Sequence, residues 1–177
     1  MEHNILFAGF GGQGIQFVAK VTAYSAMVND QEVSFLPSYG PEMRGGTSNC
    51  AVRISDKPIA CPIVNTPNIL VALNEPSYDK FHKNAVKGSV ILYDNSLFTP
   101  SEKRDDVSIY GIPATRLAKE NGLEKSLSII ALGYLTKKTD FLPLEAIKAG
   151  LDKAISAKTP AVKEMNIKAL EMGYNLE

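Results

Sequence analysis

The sequence predicts a three-layer α/β/α protein with a mostly parallel sheet, a mixed sheet being left open, and three observations carry that expectation. Short unbroken apolar runs, NILVAL at 68–73 and SVILYD at 89–94, have the character of strands buried on both faces. Segments with apolar residues at helical spacing alternate with these runs, which is the pattern of a layered α/β fold. The chain also opens with a strand that runs straight into glycines and then a helix. Its 177 residues fit one domain, 1–177, and no linker, repeat or low-complexity stretch divides them.

The elements follow in order. NILFAG (4–9) is a strand, and the helix after it is expected from about Gly12 to Val28. Its Ile15, Val18, Ala19, Thr22, Ala23, Ala26 and Met27 form a narrow stripe of mostly small residues, suited to lying close on a sheet. EVSFL (32–36) and SNCAVRIS (48–55) are strands, and IACPIV (59–64) is expected as another, confined by Pro62 to an edge or a strand end. NILVAL and SVILYD flank a helix expected around 78–86. VSIYGIP (107–113) is one more strand, followed by a helix over 114–121 that Gly122 closes. The last third is helical. SLSIIALGYL is apolar nearly all round and should be buried on more than one side, Leu144, Ile147, Leu151 and Ile155 point inward from the next helix, and Val162, Met165, Ala169 and Gly173 share a face of the last.

Composition narrows the function. Lys plus Arg and Asp plus Glu number 19 each, so no net field gathers nucleic acid or anionic lipid. No run approaches the roughly 20 apolar residues of a membrane span, and the first residues lack the basic lead of a signal peptide, so the expectation is a cytoplasmic protein. Cys50 and Cys61 are the only cysteines and form no CxxC. A four-thiolate iron–sulfur cluster, a zinc ribbon and a disulfide framework are therefore not expected, and His3 and His82 add no ligand spacing. Cys50 sits on a strand among apolar neighbours and is expected as a small core residue.

Gly9, Gly11 and Gly14 spell GxGxxG between strand and helix, a Rossmann-like start. With Gly12 they are the cofactor-binding candidates the sequence offers. A dinucleotide site also expects an acid at the end of the second strand, which here ends Phe35-Leu36-Pro37, while Glu32 stands at its start. Ile15 after Gly14 excludes a P-loop, and no serine sits in a GxSxG elbow. The favoured reading is a structural or docking turn, with no catalytic and no metal-binding residue in the chain.

A second glycine-rich stretch, SYGPEMRGGTSNC (38–50), joins two strands. Gly40, Gly45 and Gly46 open conformations closed to other residues, and Pro41 stiffens the turn. Arg44 offers a planar fork for a carboxylate or phosphate, with Glu42 as its anchor or as a contact for a partner's cation. A clamp between Glu42 and Arg44 that only pins the loop is the alternative to a docking loop made of Tyr39, Gly40, Pro41, Glu42, Met43, Arg44, Gly45 and Gly46.

GFGGQGI, LPSYGPEMRGGTSNCAVRIS, VALNEPSYDKF, IALGYL and NIKALEMG together resemble the gamma subunit of 2-oxoacid:ferredoxin oxidoreductases. The pattern is similar to the 2-oxoglutarate (KorC-like) or branched-chain type, in which gamma is a separate small chain. The resemblance implies a complex that decarboxylates a 2-oxoacid, 2-oxoglutarate by this pattern, on thiamine diphosphate with Mg, passes electrons through iron–sulfur clusters to ferredoxin, and forms an acyl-CoA. The diphosphate would lie between alpha and beta subunits and the clusters in delta or beta, with no cofactor in gamma. Alpha, beta and delta are then the expected partners, and a homodimer of the isolated chain is left open. Two positions depart from the pattern: Ser128 stands where asparagine is usual, and Cys61 where serine is usual. The rival is a free-standing dinucleotide-binding oxidoreductase or redox sensor using the turn from Gly9 to Gly14.

Overall fold

The computed structural model describes residues 2–39, 47–102, 104–155 and 159–177. Six strands form one sheet: β1 (Glu2–Phe10), β2 (Glu32–Tyr39), β3 (Thr47–Ser55), β4 (Ile69–Ala72), β5 (Val90–Asp94) and β6 (Ser108–Ile112). Their order across the sheet is β2-β3-β1-β4-β5-β6. The ladders from β1 through β4 and β5 to β6 are parallel, while β3 pairs antiparallel with both neighbours, so β3 alone runs against the other five. The sheet is mixed and mostly parallel.

The two sides are unequal. The larger core joins Ile5, Phe7, Val52 and Ile54 of the sheet to the helices α1 (Ile15–Val28), α3 (Ala114–Glu120), α4 (Leu127–Thr139), α5 (Leu144–Ala154) and α6 (Pro160–Tyr174). Within that layer α5 packs on α1 and α6 on α4. The opposite core holds Leu6, Ala51, Leu70 and Ile91 under α2 (Glu75–Phe81), with Val64 and Phe98 from irregular segments packed against it. The third layer is thus one short helix and loops.

Glycines set the closest helix contacts. A Cβ built at Gly133 of α4 would lie 2.1 Å from the Leu170 carbonyl oxygen of α6, and one at Gly173 would lie 1.9 Å from that of Ile130. At Gly150 of α5 the obstacle is Ser25 of α1, whose hydroxyl would sit at 2.1 Å. Only a residue without a side chain fits at these crossings.

Several sequence expectations need correction. Residues 59–64 form no strand: Pro58 and Pro62 cannot donate to a ladder, and the segment is tied down instead by Arg53, whose Nη1 donates to the Cys61 carbonyl at 2.6 Å. The helix expected to start at Gly12 starts at Ile15, because Gly12 and Gly14 take φ of 96° and 79°. The helix expected around 78–86 begins earlier, at Glu75, where the Asn74 carboxamide oxygen accepts from the Ser77 N–H and caps it. Met27 faces solvent and is 52% exposed. On α6 the buried face is Asn166, Ala169, Leu170 and Gly173, whereas Val162 and Met165 are exposed. Burying Asn166 shifted the face by one position from the apolar pattern.

Candidate functional site

Pairing of Phe10 with Thr47 and of Gly9 with Ser48 sets the end of β1 beside the start of β3. The glycine turn that leaves β1 and the segment that enters β3 therefore meet at one edge of the sheet, where the parallel strands β4 and β5 also end. Open α/β sheets bind their ligands at this carboxyl edge. Of the expected docking loop, Tyr39 ends β2 opposite Ser48. Gly40, Pro41, Glu42, Met43, Arg44, Gly45 and Gly46 lie outside the described residues, and the Glu42 to Arg44 pairing with them.

The glycine turn is filled by the chain itself. Gln13 folds back into it: Oε1 accepts from the Phe10 N–H at 2.7 Å and from Asn74 Nδ2 at 3.2 Å, while Nε2 donates to the Leu73 carbonyl at 2.9 Å. One side chain thus ties the end of β1 to the end of β4. A Cβ at Gly9 would meet Gln13 Oε1 at 2.7 Å, and one at Gly14 would meet Ser128 Oγ at 2.6 Å. Ser128 also donates to the Gly14 carbonyl at 3.3 Å. The serine at this departure from the family pattern therefore keeps a polar contact to the turn. A Cβ at Gly12 would meet nothing, so there only the positive φ calls for glycine.

These residues do not fit a dinucleotide. In such a site the second strand lies parallel beside the first and ends in the acid that holds the ribose. Here β3 occupies that place, runs the other way, and presents Ser48 and Asn49 at the edge. Gln16 Nε2 donates to the Ser48 hydroxyl at 3.1 Å and to the Asn49 carbonyl at 3.2 Å. Chain order does not make β2 the neighbour of β1, so the acid sought at Leu36 and Pro37 was sought on the wrong strand.

Further along the edge, Asp94 at the end of β5 is fully buried. Its carboxylate accepts from the Ser96 N–H at 3.0 Å, the Thr115 N–H at 2.9 Å and the Thr115 hydroxyl at 2.6 Å, and so fastens the start of α3. Sequence reasoning missed Gln13, Gln16, Asn74 and Asp94. The signal available was a polar residue directly after a buried strand or inside the glycine motif, in GGQG, VALN and ILYD.

Among the described residues no iron–sulfur or metal site fits. Cys50 is buried against the core, and burial pushes its thiol up to about 12, while Cys61 is exposed. Among the described residues no three His, Cys, Asp or Glu side chains are placed to hold an ion. His3, whose imidazole burial holds below its ordinary value, packs edge-on to Phe141; His82 stacks on Tyr78 with Nδ1 2.8 Å from the Tyr78 carbonyl. Among the described residues no helix is long and apolar enough to cross a membrane.

Fold and site together define an α/β domain whose glycine turn is a strand-to-strand fastening, placed at the edge where β2 ends and β3 begins. Residues 4–176 match the family described as pyruvate ferredoxin/flavodoxin oxidoreductase, and the chain belongs to that family. The 2-oxoglutarate synthase subunit KorC of Methanocaldococcus jannaschii is 38% identical over 180 residues, covering 99% of this chain and 94% of the relative. The ketoisovalerate oxidoreductase subunit VorA of Methanothermobacter thermautotrophicus is also 38% identical, but the chain spans only 36% of its length. Among solved structures, the gamma subunit of a keto/oxoacid ferredoxin oxidoreductase from Geobacter sulfurreducens superposes with a TM-score of 0.83 at 29% identity, covering 98% of this chain and 95% of that one. The 2-oxoglutarate:ferredoxin oxidoreductase of Magnetococcus marinus gives 0.88 at 26% identity, covering 97% of this chain and 30% of the longer one.

Proposed function

We propose that this chain is the gamma subunit of a cytoplasmic 2-oxoacid:ferredoxin oxidoreductase, with 2-oxoglutarate as the oxoacid, and that it contributes assembly and docking rather than a cofactor. The observation that carries this reading is the match to KorC, which spans nearly the whole of a separate small subunit. In the complex, thiamine diphosphate with Mg, iron–sulfur clusters and coenzyme A would supply the decarboxylation, electron transfer to ferredoxin and acyl transfer, on alpha, beta and delta subunits. This chain's own part is mechanical. Gln13, Asn74 and Asp94 stiffen the carboxyl edge of the sheet, and the 39–46 loop is presented from it to the catalytic subunits.

Arg44→Lys tests the docking role. A guanidinium engaged bidentate with a partner carboxylate is not replaced by an ammonium point charge. The isolated variant should melt within about 2 °C of wild type, since a 1 kcal/mol change shifts a chain of this size by roughly 2–4 °C. Its affinity for the catalytic subunits should fall at least tenfold, about 1.4 kcal/mol. A lowered melting temperature with unchanged assembly would establish the internal Glu42 to Arg44 clamp instead, and a variant unchanged in both would remove Arg44 from any partner contact.

A further inference from the structure

β2 is the outermost strand on its side of the sheet, and among the described residues no strand pairs with its outer edge. Exposed edges are usually blunted by charge or proline. This one is eight residues, EVSFLPSY, with its single charge at Glu32 on one end and Pro37 toward the other, so Val33, Ser34, Phe35 and Leu36 are unguarded. At the opposite edge, by contrast, Lys138 Nζ lies over the ring of Tyr110 of β6 at 5.7 Å.

Apolar surface gathers beside the bare edge. Val33 and Phe35 pair with Ile54 and Val52, both wholly buried under the helices, so they face the same side as α1. With Lys20, Ala23, Tyr24 and Met27 of α1 they line a groove running along the strand. Met27 is 52% exposed, Phe35 40% and, on the other face, Leu36 38%. The rim carries one cation, Lys20. Its Nζ lies 5.6 Å from the centre of the Tyr24 ring, and among the described residues no carboxylate is within ion-pair distance of it. A contiguous apolar patch rimmed by polar groups marks an interface.

From this geometry we infer that the β2 edge and the α1 groove seat an extended segment of the larger catalytic polypeptide, which adds to the sheet as a seventh strand. That segment places apolar side chains against Phe35, Val33 and Met27 and sets a carboxylate against Lys20. This rests on the gamma-subunit reading and says where and how the subunit is held. One observation chooses this occupant. In the VorA and Magnetococcus relatives the same domain makes up 36% and 30% of one longer chain, so a separate copy has to recover by association the neighbours that the fused form has by covalent linkage. Strand addition provides main-chain hydrogen bonds for affinity, and the groove provides side-chain selectivity.

The test compares the isolated chain with the complex formed on co-expression with its catalytic subunits. Among the β2 amides of residues 33–38, those that point away from β3 should exchange fast in the isolated chain and at least tenfold slower in the complex. Phe35→Glu should melt close to wild type and bind the catalytic subunits at least tenfold more weakly, and Lys20→Glu should bind more weakly with a reduced dependence on salt. Should Phe35→Glu fail to fold, Phe35→Thr, which suits an exposed strand, carries the affinity measurement. Assembly of Phe35→Glu or Phe35→Thr at wild-type affinity, or β2 amides that stay fast in an intact complex, would overturn the seat while leaving the subunit assignment standing. An isolated wild-type chain that is a dimer with slow β2 amides, and that Phe35→Glu turns into a monomer, would give the edge to a second copy and overturn the proposal. Failure of the wild-type chain to assemble at all would overturn the subunit reading itself.

Discussion

Gly14 carries two demands that a substitution can separate. Its φ of 79° is unfavourable for any residue with a Cβ, and a Cβ there would also press on Ser128 Oγ at 2.6 Å. Gly12, with φ of 96°, meets only the first demand. Gly12→Ala should therefore cost about 1 to 2 kcal/mol and Gly14→Ala about 3, as measured by urea unfolding. Equal costs would show that the turn relaxes away from Ser128. At Cys50, burial raises the thiol to about 12 from the ordinary 9.0, so the native state holds its proton where the unfolded state loses it. The sign follows: this contribution is fully present below pH 9 and is lost as pH rises from 9 toward 12. The stability difference between wild type and Cys50→Ala should shift by up to about 1.4 kcal/mol per pH unit in that window. Native protein should yield one fast thiol to Ellman's reagent, Cys61, and two once unfolded. The core role of Cys50 was legible from its apolar strand neighbours. The role of Gln13 was not, because its partners Leu73 and Asn74 are some sixty positions away.

The helices meet where side chains are absent. At the crossing of α4 and α6, Gly133 and Gly173 each approach a backbone carbonyl of the other helix too closely for a methyl group, and backbone, unlike a side chain, has no rotamer to escape into. Gly133→Ala should cost about 3 kcal/mol or more and lower the melting temperature by roughly 6 to 12 °C. A smaller shift, read by calorimetry, would mean that α6 slides to accommodate it. The existence of these helices was plain from their spacing, but the inward face of α6 was not. Asn166 is buried while Val162 and Met165 are exposed, and a hydropathy stripe assigns them the other way round. IACPIV read as a strand for the same reason: its apolar residues satisfy the pattern, and Pro62, taken only to confine it to an edge or a strand end, together with Pro58 leaves it no ladder to join.

For the molecule as a whole, alternation of apolar strands and helices was enough to give an α/β sheet, while the strand order was out of reach. Placing β3 between β1 and β2 depends on pairings such as Phe7 with Cys50, which join distant residues and leave no local mark. The missing acid pointed away from nucleotide binding even though it was sought on β2, and the family resemblance is what suggested a part in a complex. Accordingly, the isolated chain should be colourless and show no 2-oxoacid oxidation, and activity should appear only when its catalytic subunits are supplied. An iron-dependent visible absorption band from the purified chain would contradict this. The placement of β3 also bears on how the protein is born. All ladder partners of β2 and β3 lie within residues 2–55, so these two strands, β1 and α1 can assemble while the rest of the chain is still inside the ribosome. What that early piece lacks is a cover for the Val21 and Ser25 flank of α1, which waits for Gly150 to emerge almost a hundred residues later. During that interval the nascent chain carries a formed sheet edge and an uncovered helix, the condition in which a growing polypeptide most needs a chaperone or an early partner.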